Sequence, residues 1–311
     1  MTDEPRKSSR KSSGKPRTLS RVVATTPGCA PLREAYEQAR AQKPKTWVEV
    51  QDIYLRAMEA FDANIATGVA DMGDLQNGKG DFFNDLLALL LENCAGIQLF
   101  SRGDVPGLIF PKHHLDVTFP STGAVEFVLE AKAVGTPKHP GSPRQRAVGR
   151  AGSADLDKRV KEIGFKTIDL KAEYARILTA RGESAAAMAG DLSTWLRSVK
   201  PRSYVFFAAR VISDNDRARV VRFADLAALV SDAVGVFCFR PISANSPTRY
   251  AVEPVPSHVE LDRVLYRACR DLASIHSSTG VESPSASPAE LAESIPIEPE
   301  NHTGRVMRKK R

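Results

Sequence analysis

Val50, Ile53, Tyr54, Ala57, Met58, Phe61 and Ile65 follow the spacing of one helical face from Val48 to about Ala66. That period predicts a helix with its apolar side on a core. The segment DMGDLQNGKGD after it is broken by glycines and reads as a loop. The next stretch, DFFNDLLALLLEN from about Asp81 to Asn93, is apolar around most of its circumference and predicts a deeply buried helix. IQLFSRGDVPGLIFPKHHLDV then fits a short strand, a Gly/Pro turn and a second strand.

The period now shortens to two. Leu115, Val117 and Phe119 alternate with Asp116 and Thr118, and Val125, Phe127 and Leu129 alternate with Glu126, Val128 and Glu130. Pro120 to Gly123 form a turn cluster between them, so a β-hairpin is predicted over Leu115 to Lys132. Past Lys132, AVGTPKHPGSPRQRAVGRAGSAD is rich in Pro, Gly and cations and reads as a long loop. Ser153 or Asp155 is placed to cap a long helix whose apolar stripe is Leu156, Val160, Ile163, Leu170, Tyr174 and Ile177. Another helix is expected over 183–200, with Trp195 and Leu196 buried. SYVFFAARVI, 203–212, is apolar throughout and predicts a central strand. A helix from Arg222 to Ser231, strands from Gly235 to Pro241 and from Arg249 to Val252, and an amphipathic helix from Val259 to Ile275 complete the pattern. The expected fold class is α/β, with a mixed sheet and flanking helices. It forms a single domain over 31–275, between a basic disordered tail at 1–30 and a Ser/Pro/Glu-rich disordered tail at 276–311.

Composition narrows the partners. With 42% hydrophobic residues in 311, the chain can bury a sizeable core. It has no apolar run of about eighteen residues, which argues against a membrane span. No hydrophobic segment follows the charged N-terminus, which argues against a secretory signal. A net charge of +7 and a pI near 9.3 suit a polyanionic partner, and the basic tail could lie on DNA phosphates. The cysteines, Cys29, Cys94, Cys238 and Cys269, form no CxxC pair, which argues against a zinc ribbon or finger. Cys94 and Cys238 lie in apolar stretches and read as buried thiols, a pattern suited to a reducing cytoplasm.

The candidate chemistry lies in the hairpin. Glu130 and Lys132 are two apart and share a strand face, which Asp116 on the neighbouring strand can share too. An Asp and a Glu converging there make a hard, oxygen-rich site suited to Mg²⁺. A Lys beside them can position or deprotonate a water, or stabilise charge on a phosphate. Hydrolysis of a phosphodiester needs that set. The plain structural alternative is a surface hairpin with a cross-strand ion pair. Asn77-Gly78-Lys79-Gly80 lacks the spacing of a phosphate-binding P-loop and reads as a turn with a lysine near the site. Of His113 and His114, His114 shares the strand face of Asp116, although either can simply close a sheet end with a hydrogen bond.

Asp116, thirteen residues and then Glu130-Ala131-Lys132 resembles the motif of the PD-(D/E)xK nuclease superfamily, which contains many restriction endonucleases. Leu115 stands where the family name has Pro. The order of elements over about 75–215 resembles that family's restriction-endonuclease-like core. The resemblance implies that Asp116 and Glu130 hold Mg²⁺, that Lys132 orients or activates the attacking water, and that the product keeps a 5′-phosphate. The family also carries an acidic residue on an early helix. Here Gly80-Asp81-Phe82-Phe83-Asn84-Asp85 puts Asn84 at that position with Asp85 next, and either is a candidate metal ligand, while Asp81 can equally be a helix N-cap. The loop after Lys132 offers Lys138, His139, Arg144, Arg146 and Arg150 to DNA, and the helix after it offers Lys158 and Arg159. What the resemblance implies is a cytoplasmic type II restriction endonuclease acting on double-stranded DNA, as a homodimer and with a cognate methyltransferase. A DNA-binding or interaction protein on the same fold that does not cut remains open, as does a nuclease of repair, junction resolution or phage defence.

Overall fold

The computed structural model describes residues 14–68, 72–139, 149–182, 192–243 and 246–278, and all of them belong to one compact unit. Two helices carry much of its core. In α3 (Trp47–Ala66), Val50, Ile53, Tyr54, Ala57, Met58, Phe61 and Ile65 are buried, as their period requires. In α4 (Met72–Ala95), Phe82, Phe83, Leu86, Leu87, Leu90 and Leu91 are fully buried. At about 1.5–3 kcal/mol for each large apolar side chain removed from water, this one helix is a principal source of stability.

The start of α4 overturns the loop expected at DMGDLQNGKGD, because the helix already runs through Asn77-Gly78-Lys79-Gly80. A glycine in a helix interior costs roughly 1 kcal/mol. Packing overrides that cost here. A Cβ on Gly78 would come within 2.7 Å of the Cys29 sulfur, so glycine lets α4 approach that residue. Lys79, expected on a turn, is buried. Asp81 consequently lies inside the helix and is not its N-cap.

One seven-stranded sheet lies behind these helices, its strands in sequence order: β1 (Lys15–Pro16), β2 (Phe100–Val105), β3 (His113–Phe119), β4 (Phe127–Val134), β5 (Arg202–Arg210), β6 (Ala233–Ser243) and β7 (Ser246–Glu253). β1 to β4 run antiparallel, β4, β5 and β6 parallel, and β7 antiparallel again. The predicted hairpin is present, with Val117 opposite Leu129 and Phe119 opposite Phe127. Strand β5 is central and almost wholly buried, as its unbroken apolar run requires. Helices α3, α4 and α8 (Leu261–Ser278) cover one face, against Phe127, Leu129, Phe206 and Phe237. Helices α5 (Leu156–Ala180) and α7 (Asp214–Ala227) cover the other, against Val205, Phe207, Val234 and Val236. The class is α/β. Among the described residues no helix is long and apolar enough to cross a membrane.

Several boundaries differ from expectation. The basic tail ends well before residue 30. Gly14 N donates to Ser121 O at 2.7 Å and Arg17 N to Leu99 O at 2.8 Å, and β1 pairs with β2, whose backbone would otherwise be an open edge. Helix α1 (Arg21–Thr25) and the turn after it bury Val23 and Cys29, and α2 (Ala30–Gln42) follows directly. A few apolar anchors thus hold a segment whose mean composition is polar. Residues 1–13 and 279–311, most of the two expected tails, lie outside the described residues.

Helix α7 starts at Asp214 rather than Arg222, because Ser213 caps it by accepting from Asp216 N. At α5, Asp155 holds the N-cap position with φ 63°, yet its carboxylate pairs with Arg150 instead of capping, and Ser153 does not cap either. The helix α6 (Leu192–Ser198) is all that is described of the helix expected over 183–200, with Leu196 buried and Trp195 half-buried.

Cys94 is not a free thiol. Helices α4 and α8 pack together, and Cys94 forms a disulfide with Cys269, 175 residues away in sequence, with Cα atoms 6.3 Å apart. This pairing removes the support that the cysteine pattern gave to a reducing compartment. Cys29 and Cys238 are the buried thiols, and burial pushes the Cys238 thiol up to about 12. Thiol titration is therefore expected to find no fast-reacting cysteine in the native protein, two after denaturation without reductant and four after reduction. A rapidly modified native thiol would contradict this arrangement.

Candidate active site

α4, β3, β4 and the start of α5 surround an open cleft of about 300 Å³. Asn77, Gly80, Asp81 and Asn84 line one wall, spaced as one face of a helix. Asp116 enters from β3 and Lys132 from β4, while Arg150, Asp155 and Arg159 form the far rim. Two of the three hairpin residues singled out in the sequence thus open into the same space.

Glu130 does not line this cleft. It shares the face of Lys132 and is only 4% exposed. Its Oε2 accepts from Lys132 Nζ at 3.3 Å, and its Oε1 takes an ion pair from Lys166 Nζ. Burial alone would raise the Glu130 carboxyl, but the two ammonium groups outweigh it and hold it below the usual carboxylate range. Glu130 therefore stays charged and fixes Lys132. Lys166, which also donates to His114 O at 3.2 Å, was missed in the sequence because it looked like one more cation on the wet face of α5.

The two α4 candidates separate cleanly. Asp85 is buried, paired with Arg17 Nη2, and accepts from Ser20 N at 2.8 Å, so it anchors the N-terminal segment. Asn84 lines the cleft, and its Oδ1 is buried with no hydrogen-bond partner among the described residues. Asp81 stands beside it. Burial pushes the Asp81 carboxyl up, and the nearby Asp116 charge adds to this, while a Ser20 hydrogen bond and the Arg17 and Lys132 charges oppose it. Two carboxylates that repel one another beside an orphaned amide oxygen suit a hard cation. Among the described residues no group of three or more His, Cys, Asp or Glu could hold a metal ion. Mg²⁺ often takes only one or two protein carboxylates, with waters and substrate phosphate filling its remaining positions, so the donor set fits.

Lys79 supports the wall from behind. Its Nζ donates to Asp62 Oδ1 at 3.2 Å and to Gly135 O, just past β4, at 2.9 Å. The glycine-rich run concealed it by suggesting a turn, although its helical spacing to Phe82 and Phe83 was readable.

The loop after Lys132 is closed at its base by Thr136 and Arg150, with Arg150 N donating to Thr136 O at 2.8 Å. Gly149, at φ 89°, allows this, since a Cβ there would lie 2.2 Å from Thr136 O. Arg150, Lys158 and Arg159 are exposed, Arg150 pairing with Asp155 and the other two with Glu162. Lys138 is exposed, and Arg144 and Arg146 lie outside the described residues. His113 takes the plain role, paired through Nε2 with Asp169 Oδ2 at 2.7 Å, while His114 is exposed. No family model, no curated protein and no solved structure matches the chain.

Proposed function

We propose that this chain is a Mg²⁺-dependent endonuclease that hydrolyses phosphodiester bonds of double-stranded DNA, a restriction endonuclease of type II acting as a homodimer. One observation carries the reading: Asp116 and Lys132 open into one cleft beside Asp81 and the unpartnered Asn84 oxygen, with Arg150 and Arg159 on its rim. Asp116, Asp81 and Asn84 would hold the cation. Bound there, Mg²⁺ would lower the pKa of a water and offset charge on the phosphate. Glu130 fixes Lys132, which lines the cleft, and the Lys132 ammonium would donate there to a water or a phosphate oxygen. Arg150 and Arg159 bind backbone phosphates, giving up their surface pairs with Asp155 and Glu162. A cognate methyltransferase would protect the host's own sites.

Alanine at Arg150 or Arg159 is expected to weaken binding of all duplex sequences alike and to lower the salt slope by about 1 each. Salt titrations of binding check this, and a change in sequence preference instead would assign these residues to base edges. The restriction reading is tested by sequencing the ends of fragments cut from unmethylated genomic DNA. One recurrent sequence at the ends is expected; random ends would leave a nuclease of another duty, in repair or phage defence. A second reading, a DNA-binding protein that does not cut, is favoured by the two lysines that occupy Glu130. It predicts duplex binding without any scission.

A further inference from the structure

The turn joining β2 to β3 holds three consecutive apolar side chains in water: Leu108 is 51% exposed, Ile109 69% and Phe110 51%. Phe165 on α5, itself 43% exposed, meets Phe110 edge-on with ring centroids 5.2 Å apart. An apolar run presented like this marks a contact surface. It is also fixed in place. The Asp169 carboxylate accepts from Ile109 N at 2.7 Å and Phe110 N at 3.1 Å, and Leu108 N donates to Asp169 O at 3.3 Å. Gly107 permits this, because a Cβ there would lie 1.9 Å from Asp169 Oδ2. The tip therefore meets a partner already ordered, and little entropy is lost on contact.

Its rim is cationic. Lys112 and His114 are exposed beside it in sequence, and Lys161 is exposed one helical turn before Phe165. Lys158 and Arg159, which share Glu162 as an ion-pair partner, continue the row along α5, and Arg159 lines the cleft rim. We infer that Leu108, Ile109 and Phe110 form a wedge that enters between stacked bases of duplex DNA lying along α5, with Phe165 as its footing. Side chains of this type part base steps and kink a duplex, and the surrounding cations hold the phosphates on either side. A protein partner fits less well, since four apolar side chains fall far short of the roughly 20 residues a side of a stable interface. The inference rests on the reading that this chain binds duplex DNA at the neighbouring cleft.

The test uses the full chain, mixed-sequence duplexes carrying aminopurine, and EDTA so that nothing is cut. The wild type is expected to raise aminopurine fluorescence as a base step opens. Ile109→Ala with Phe110→Ala should abolish that rise and weaken binding by about tenfold. Val48→Ala, at an exposed apolar site on α3, should change neither. Variants that bind and unstack like wild type would overturn the wedge and leave the nuclease reading standing. Variants that keep DNA binding but lose self-association would overturn it in favour of a protein contact. A wild type that binds no duplex would overturn the DNA reading and the wedge together.

Discussion

Asp116→Ala is expected to lower DNA cleavage by about a thousandfold while leaving the protein at least as stable as before. The two halves of that result have one cause. Asp116 is half-buried on β3; its backbone carbonyl accepts from Arg17 Nη1 at 3.0 Å, and its carboxylate has no hydrogen-bond partner among the described residues. Its carboxylate instead faces Asp81, whose carboxyl it helps to push up. Removing it relieves a repulsion, so the gain in stability should be up to about 1 kcal/mol. Denaturant unfolding read beside the cleavage rate checks both halves. A loss of stability large enough to explain the loss of rate would show that Asp116 is a structural residue.

The second large effect is on the fold. Asp62→Ala should cost about 3–5 kcal/mol, because it strands a buried ammonium. Asp62 is fully buried on α3, and it accepts from Lys79 Nζ at 3.2 Å and from Tyr250 OH at 2.5 Å. Arg210 Nε in turn donates to Tyr250 OH at 3.0 Å, which links α3, α4, β5 and β7 in one polar network. Burial already holds the Lys79 ammonium below its ordinary range, against the pull of Asp62. With Asp62 gone, the Gly135 carbonyl still accepts from the ammonium, but the negative charge that opposed its burial is lost. Asp62→Ala combined with Lys79→Met should recover most of the stability, since a buried pair replaced by apolar side chains is often neutral. Urea midpoints of the two variants beside the wild type settle it. Equal losses in the single and double variants would show that the cost comes from the cavity and not from the charge.

Helix α3 and the hairpin were legible because their apolar positions carry one period each, and the second half of α4 because it is apolar around most of its circumference. Strand β5 was legible for the opposite reason, an unbroken apolar run that suits a sheet covered on both faces. What escaped was set by contacts distant in sequence. The glycines at 78 and 80 signal a turn locally, yet Gly78 is in α4 because Cys29 needs the room. The segment from Gly14 to Cys29 has tail-like composition, yet Asp85 and the β2 edge hold it. Cys94 and Cys269 meet only because α4 and α8 do.

The candidate site divides the same way. The spacing of Asp116, Glu130 and Lys132 located the strand faces, and Asp116 and Lys132 line the cleft together. Spacing alone could not show that Lys166, from a helix, would occupy the other oxygen of Glu130. Nor could it separate Asn84 from Asp85: neighbours on a helix point about 100° apart, and only the position of α4 against β3 and Arg17 decides which one meets the cleft.

Cleavage of unmethylated plasmid and genomic DNA, with Mg²⁺ or with EDTA and with wild type beside Lys132→Ala, tests the central claim most directly. Scission is expected from the wild type with Mg²⁺ only, and none from Lys132→Ala, with duplex binding equal in both. DNA left intact by a wild type that still binds it, or cut equally well by Lys132→Ala, would contradict the claim that this cleft hydrolyses phosphodiester bonds.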